Sequence, residues 1–152
     1  MRKSLSRQLV KLYSRSGGGR KMNFPEKYLD LLDDKTKAFA YLATLMENGT
    51  PQVTPVWFNS DGEYILINTA VGRVKDRNMR ARPHVAICIA DPNDPYRYVQ
   101  IRGRVVEHTT EKANEHIDSL AWKYRGIKKY DKYQPGMQRI IYKIMPESIN
   151  QH

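Results

Sequence analysis

Between residues 98 and 107 apolar and polar positions alternate, with Val99, Ile101, Gly103 and Val105 on one side. That period of two predicts a long half-buried strand, and the glycine inside it marks a bend or bulge. Strands are also predicted over 38–46, 52–58, 63–68 and 137–144. The unbroken apolar run 85–90 predicts a strand buried on both faces, with Cys88 as an inert interior thiol. Glu47-Asn48-Gly49-Thr50 and Asn59-Ser60-Asp61-Gly62 read as tight hairpin turns, and 91–95, with two prolines, as a loop. Helical spacing is confined to three short stretches. The first covers 25–32, with Pro25 at its first position and Tyr28, Leu29 and Leu32 on one side. The second covers 73–80 and is closed by Pro83. The third covers 111–124, capped by Thr110, with Ala113, Ile117, Leu120 and Ala121 facing inward. Six strands with short links and few helices predict a mainly β fold, a six-stranded antiparallel barrel.

Charge divides the chain in two. The net charge is +10, but residues 1–21 hold seven basic residues and no acid, which leaves +3 for residues 22–152. Residues 22–152 therefore read as the folded domain, and its mild charge argues against a nucleic-acid-binding fold. Residues 1–21 read as a disordered basic extension, or as one that precedes a true start at Met22. The helical spacing of Leu5, Leu9 and Leu12 leaves a targeting peptide or contact with an acidic membrane surface open. No apolar run approaches the ~20 residues of a membrane span, so a cytoplasmic protein is expected. One cysteine rules out an intramolecular disulfide and a cysteine zinc site. His84, His108, His116 and His152 show no metal-ligand spacing and read as surface or filler residues. With no nucleophile triad and no carboxylate pair, the chemistry points to a bound cofactor, and no catalytic residue is assigned.

The densest signal is the passage from the strand at 63–68 into the helix at 73–80. Arg73, Lys75 and Arg77 crowd the start of that helix, where free amides and the helix dipole are already positive. Three cations there are unfavourable unless an anion joins them, and a phosphate supplies that anion. A solvated basic face has the same composition. The location, directly after a strand that ends in Asn68 and Thr69, favours a ligand site.

In this order the chain resembles the pyridoxamine 5′-phosphate oxidase-like split β-barrel superfamily, in its flavin- and deazaflavin-dependent branch. The likeness rests on Leu42-Ala43-Thr44, on the run from Gly49 to Phe58, and on Asn68-Thr69 with Arg73-x-Lys75-x-Arg77-Asn78-Met79-Arg80-x-x-Pro83. Asp91-Pro92 through Tyr96-x-Tyr98-Val99-x-Ile101-Arg102-Gly103 completes it. The resemblance implies an FMN-binding split barrel of Greek-key type, acting as a homodimer with cofactor sites at the interface. Lys75 and Arg73 would hold the cofactor phosphate, and Asn68 and Thr69 that phosphate or the ribityl chain. Thr54, Pro55, Val56 and Trp57 would lie along the tricyclic ring, with Asn78 approaching from the helix. Tyr96 and Tyr98 would reach the cofactor from the partner subunit. Ordinary roles stay open: Trp57 as core, both tyrosines as rim, Asn78 as an exposed helix residue. The implied cofactor is coenzyme F420, with FMN as the alternative, and the implied reaction is hydride transfer with a small conjugated substrate. A non-catalytic binding protein is a further alternative, as is a module that docks through its basic tail. The stretch 126–135, with Lys128, Lys129, Tyr130 and Tyr133, hints at an anionic or aromatic partner. Oxidation of pyridoxamine phosphate itself is not expected, because no residues match that enzyme's substrate-phosphate site.

Overall fold

The structure, a computed structural model, describes residues 22–151; the readings made for residues 1–21 lie outside the described residues. A 3-10 helix, Glu26–Leu32, leads into strands β1 (Ala40–Leu45), β2 (Pro51–Val56), β3 (Phe58–Ser60) and β4 (Ile65–Ala70). Helix α1 (Val74–Ala81), β5 (His84–Asp91), β6 (Asp94–Thr109), helix α2 (Ala113–Arg125) and β7 (Arg139–Gln151) follow. The strands form one sheet in the order β2-β1-β5-β6-β7-β4-β3. Every pairing in it is antiparallel.

The sheet has seven strands, not six. The run predicted as one strand over 52–58 is cut at Trp57, and its two pieces pair with opposite ends of the sheet. β2 pairs with β1, and β3 pairs with β4. Two edges joined by a single residue force the sheet to curl on itself, which makes this a split antiparallel barrel. Its core gathers Leu31, Leu42, Phe58, Ile65, Ile67, Ile87, Ile89, Ile101, Ile140 and Tyr142, all essentially inaccessible to solvent.

Other boundaries moved for local reasons. The loop expected at 91–95 is a tight turn, because Asp91 accepts the Asn93 N–H (2.8 Å) and β6 already begins at Asp94. β7 runs to Gln151 instead of stopping at 144. Pro146, which has no N–H to donate, sits opposite Gly103 where the β6–β7 register shifts. A Cβ at Gly103 would lie 2.6 Å from the Met145 carbonyl oxygen, so the expected bulge glycine is required by a close backbone approach. β5 is not buried on both faces. Val85, Ile87 and Ile89 point into the core, while Ala86, Cys88 and Ala90 are half-buried on the other side. Burial pushes the Cys88 thiol pKa up, which disfavours the thiolate. Pro25 precedes its helix as the cap residue and does not open it. Thr110 does not cap α2; Lys112, in the left-handed conformation (φ 55°), precedes Ala113 instead.

Candidate active site

β4 delivers the chain to the basic corner. Beyond Ala70 it turns at Gly72, whose φ of 92° suits a residue without a side chain. The Gly72 N–H donates to Asp76 Oδ2 (2.8 Å), and the Arg77 guanidinium reaches back to the Gly72 carbonyl. Asp76 is 2% exposed. It also accepts from the Tyr142 hydroxyl (2.5 Å) and from Arg80 Nε (3.0 Å). Burial works against its charge, but the hydrogen bonds from Tyr142, Gly72 and Arg80 outweigh it and hold the carboxyl below its usual range. The turn is thus fixed from inside by one carboxylate.

Arg73, Lys75 and Arg139 line a cleft of about 250 Å³ with Pro55, Val56, Trp57, Asn68, Thr69 and Tyr130. Among the described residues, no carboxylate forms an ion pair with any of these three cations. Burial lowers the Lys75 pKa, and the charges of Arg73 and Arg139 lower it further. The Thr69 hydroxyl is buried without a hydrogen-bond partner. A cluster of like charges beside an orphaned hydroxyl is unfavourable as it stands and fits a phosphate. The cleft also has an aromatic part. Trp57 stacks on Tyr124 (centroids 5.3 Å apart, 7° between planes), and Tyr130 meets Trp57 edge-on at 6.2 Å. Helix α2 also seals the cut in the sheet: the Phe58 N–H donates to the Tyr124 hydroxyl (3.3 Å) and Lys123 Nζ donates to the Phe58 carbonyl (2.9 Å). A larger hollow of about 530 Å³ lies on the outer face of β1, β5 and β6, but it gathers no comparable set of cations.

Of the residues singled out in the sequence, Pro55, Val56, Trp57, Asn68, Thr69, Arg73 and Lys75 meet at this cleft. One face of the Trp57 ring is covered by Tyr124, and the residue also lines the cleft. Thr54 lies on β2 beside it, and its hydroxyl is also buried without a partner. Asn78 is neither at the cleft nor exposed. It is 3% exposed and donates to Thr44 Oγ1 (3.0 Å), tying α1 to β1. Tyr96, 86% exposed, and half-buried Tyr98 stand at the start of β6 and do not line the cleft of their own chain.

Three participants were not read from the sequence: Arg139, Asn59 and His116. His116 is not a surface residue; it bridges Asn59 Oδ1 (2.9 Å) and the Asn68 amide (3.1 Å). Burial, and then the Arg139 charge, push its pKa down to about 4. The folded value lies below the usual ~6.5, so the unfolded chain binds the extra proton. The contribution is complete above about pH 6.5 and is lost as pH falls toward 4, to a total of about 3 kcal/mol. Urea melts of the protein should show this slope, and His116→Gln should flatten it.

The model of the family described as pyridoxamine 5′-phosphate oxidase matches residues 24–152. The chain belongs to this family. A solved structure described as an F420 reductase is 32% identical over 84% of this chain and 98% of its own, with a TM-score of 0.72. A putative pyridoxamine 5′-phosphate oxidase from Listeria innocua is 20% identical over 83% of this chain and 95% of its own, with a TM-score of 0.62. The general stress protein 26 of Bacillus anthracis is 16% identical over 83% and 91%, with a TM-score of 0.61. The last two show the fold alone. No curated protein matches the chain. The family contains oxidoreductases, and the split barrel is the pyridoxamine 5′-phosphate oxidase architecture. No described helix is long and apolar enough to cross a membrane, and no described cluster of ligands would hold a metal ion.

Proposed function

We propose that this protein is a deazaflavin-dependent oxidoreductase that uses coenzyme F420 and works on a small conjugated substrate. The observation that carries the reading is the cleft itself: Arg73 and Lys75, without an ion-pair partner among the described residues, and the orphaned Thr69 hydroxyl share it with the flat ring of Trp57. A phosphate on a ribityl chain joined to a tricyclic ring matches both halves. Arg73, Lys75 and Thr69 would hold the phosphate. Pro55, Val56 and Trp57 would lie against the ring, and Thr54 has a hydroxyl left to offer beside them. When bound, the ring supplies the hydride chemistry; these residues supply binding, orientation and exclusion of water. The likeness to an F420 reductase supports the deazaflavin over FMN.

The protein works as a homodimer in this reading. Ligand pockets usually span ~300–1,000 Å³, and the cleft of one chain holds about 250 Å³. A second copy would supply the missing wall, with Tyr96 and Tyr98 reaching across. The outer face of β1, β2 and β5 exposes Tyr41 (45%) and Val53 (64%) and supports such pairing.

Titration with coenzyme F420 and, in parallel, with FMN, followed by tryptophan fluorescence, tests the reading. Micromolar binding of the deazaflavin with weaker FMN binding is expected, together with reductase turnover of a conjugated acceptor. Preference for FMN would move the protein to the flavin branch. Tight binding without turnover would make it a non-catalytic member, and no binding of either would remove the function.

A further inference from the structure

We propose that Arg139 is the third anion-holding side chain of the cleft, and that His116 positions it through Asn68. This rests on the reading that the cleft takes a phosphorylated cofactor. Arg139 opens β7 opposite Ala70, one residue past the Thr69–Ile140 pair, so the fold brings it to the end of β4 where the anion corner begins. It is 4% exposed, and no carboxylate pairs with it among the described residues. Its other neighbours are the Tyr130 ring, 5.3 Å from the guanidinium carbon, and Met137 Sδ at 3.7 Å. A guanidinium buried without a counterion is expensive unless a ligand brings one. Burial presses its pKa down and the Arg73 charge adds to this, while the Tyr130 and Tyr133 hydroxyls act the other way without cancelling it.

Its orientation is set by a run of hydrogen bonds with one consistent direction. The Asn68 amide nitrogen donates to the Ala113 carbonyl (2.8 Å) and to His116 Nδ1 (3.1 Å). Both its protons are thereby used, so Nδ1 is the acceptor and Nε2–H donates to Asn59 Oδ1 (2.9 Å). The Asn68 carbonyl is left facing Arg139 and accepts from its Nε (2.8 Å). Asn68 therefore has no amide proton to spare for a ligand; it aims the arginine. With Nε held, the terminal nitrogens of the fork serve the phosphate, which suits bidentate recognition. Four elements, β3, α2, β4 and β7, converge on this one guanidinium.

Phosphate-free ligands separate this role from a structural one. Arg139→Gln is expected to weaken FMN and coenzyme F420 by about 10–100-fold. Binding of riboflavin, and of the phosphate-free deazaflavin fragment, should be unchanged. His116→Leu should follow the same pattern at several-fold, and His116→Gln, which keeps both a donor and an acceptor, should recover most of the loss. Equal weakening of phosphorylated and phosphate-free ligands, or no effect of Arg139→Gln, would overturn the proposal. If the protein binds no cofactor at all, the functional reading fails, and inorganic phosphate probes the arginine independently. The Arg139 Nε–H resonance should then be slow to exchange, move on adding phosphate, and exchange rapidly in His116→Leu. A resonance indifferent to phosphate sinks the assignment.

Discussion

Lys75→Ala is expected to weaken the phosphorylated cofactor by about 100-fold while leaving the melting temperature of the free protein unchanged or slightly higher. The two signs come from the same cause. Lys75 stands half-buried among Arg73 and Arg139, and burial and both charges depress its pKa, so in the free protein it is a source of repulsion. With an anion present it becomes a charge-assisted donor worth roughly 1.5–3 kcal/mol. Fluorescence titration reads the first effect and calorimetric melting the second. A variant that lost affinity and melting temperature together would show that Lys75 supports the fold, and the anion corner would have to be abandoned.

Asp76→Ala is expected to destabilise the protein by about 3–5 kcal/mol, on the order of 10–20 °C in melting temperature. Removal of this carboxylate leaves the Gly72 N–H, the fully buried Tyr142 hydroxyl and Arg80 without their shared acceptor. Asp76→Asn keeps an acceptor but not the charge and should lose less. Thermal unfolding followed by circular dichroism distinguishes them. If the alanine variant melted within a degree or two of the parent, the turn at Gly72 would be held by its neighbours and not by Asp76.

The gathering of basic residues at this corner was legible because it is local. A strand, a glycine turn and a basic helix start lie within a dozen residues, and the electrostatic conflict among them shows in the letters. The strands of the core were legible by their period, β6 and its bulge at Gly103 most clearly. The cut at Trp57 was not, because β2 and β3 read as one alternating run until it is known that their partners stand at opposite ends of the sheet. Asn78 was expected at the cofactor, with an exposed position as the alternative, because a short helix does not announce which side meets β1. The line from Asn59 through His116 and Asn68 to Arg139 joins positions 48 to 71 residues apart, distances that only the folded topology closes. Nothing in the spacing of a lone histidine or of an arginine opening a strand pointed to it.

The gap beside Trp57 has a consequence for how this barrel can change. Elsewhere the spacing of neighbouring strands is fixed near ~4.8 Å by backbone hydrogen bonds, but across the cut the Phe58 backbone is satisfied by the hydroxyl of Tyr124 and the ammonium of Lys123. The same Tyr124 hydroxyl donates to the Ala38 carbonyl (2.5 Å) just ahead of β1, so one side chain of α2 ties the two halves together here. Substitutions on α2 can widen or narrow the mouth of the cleft, and with it the range of molecules admitted, without breaking a single rung of the sheet.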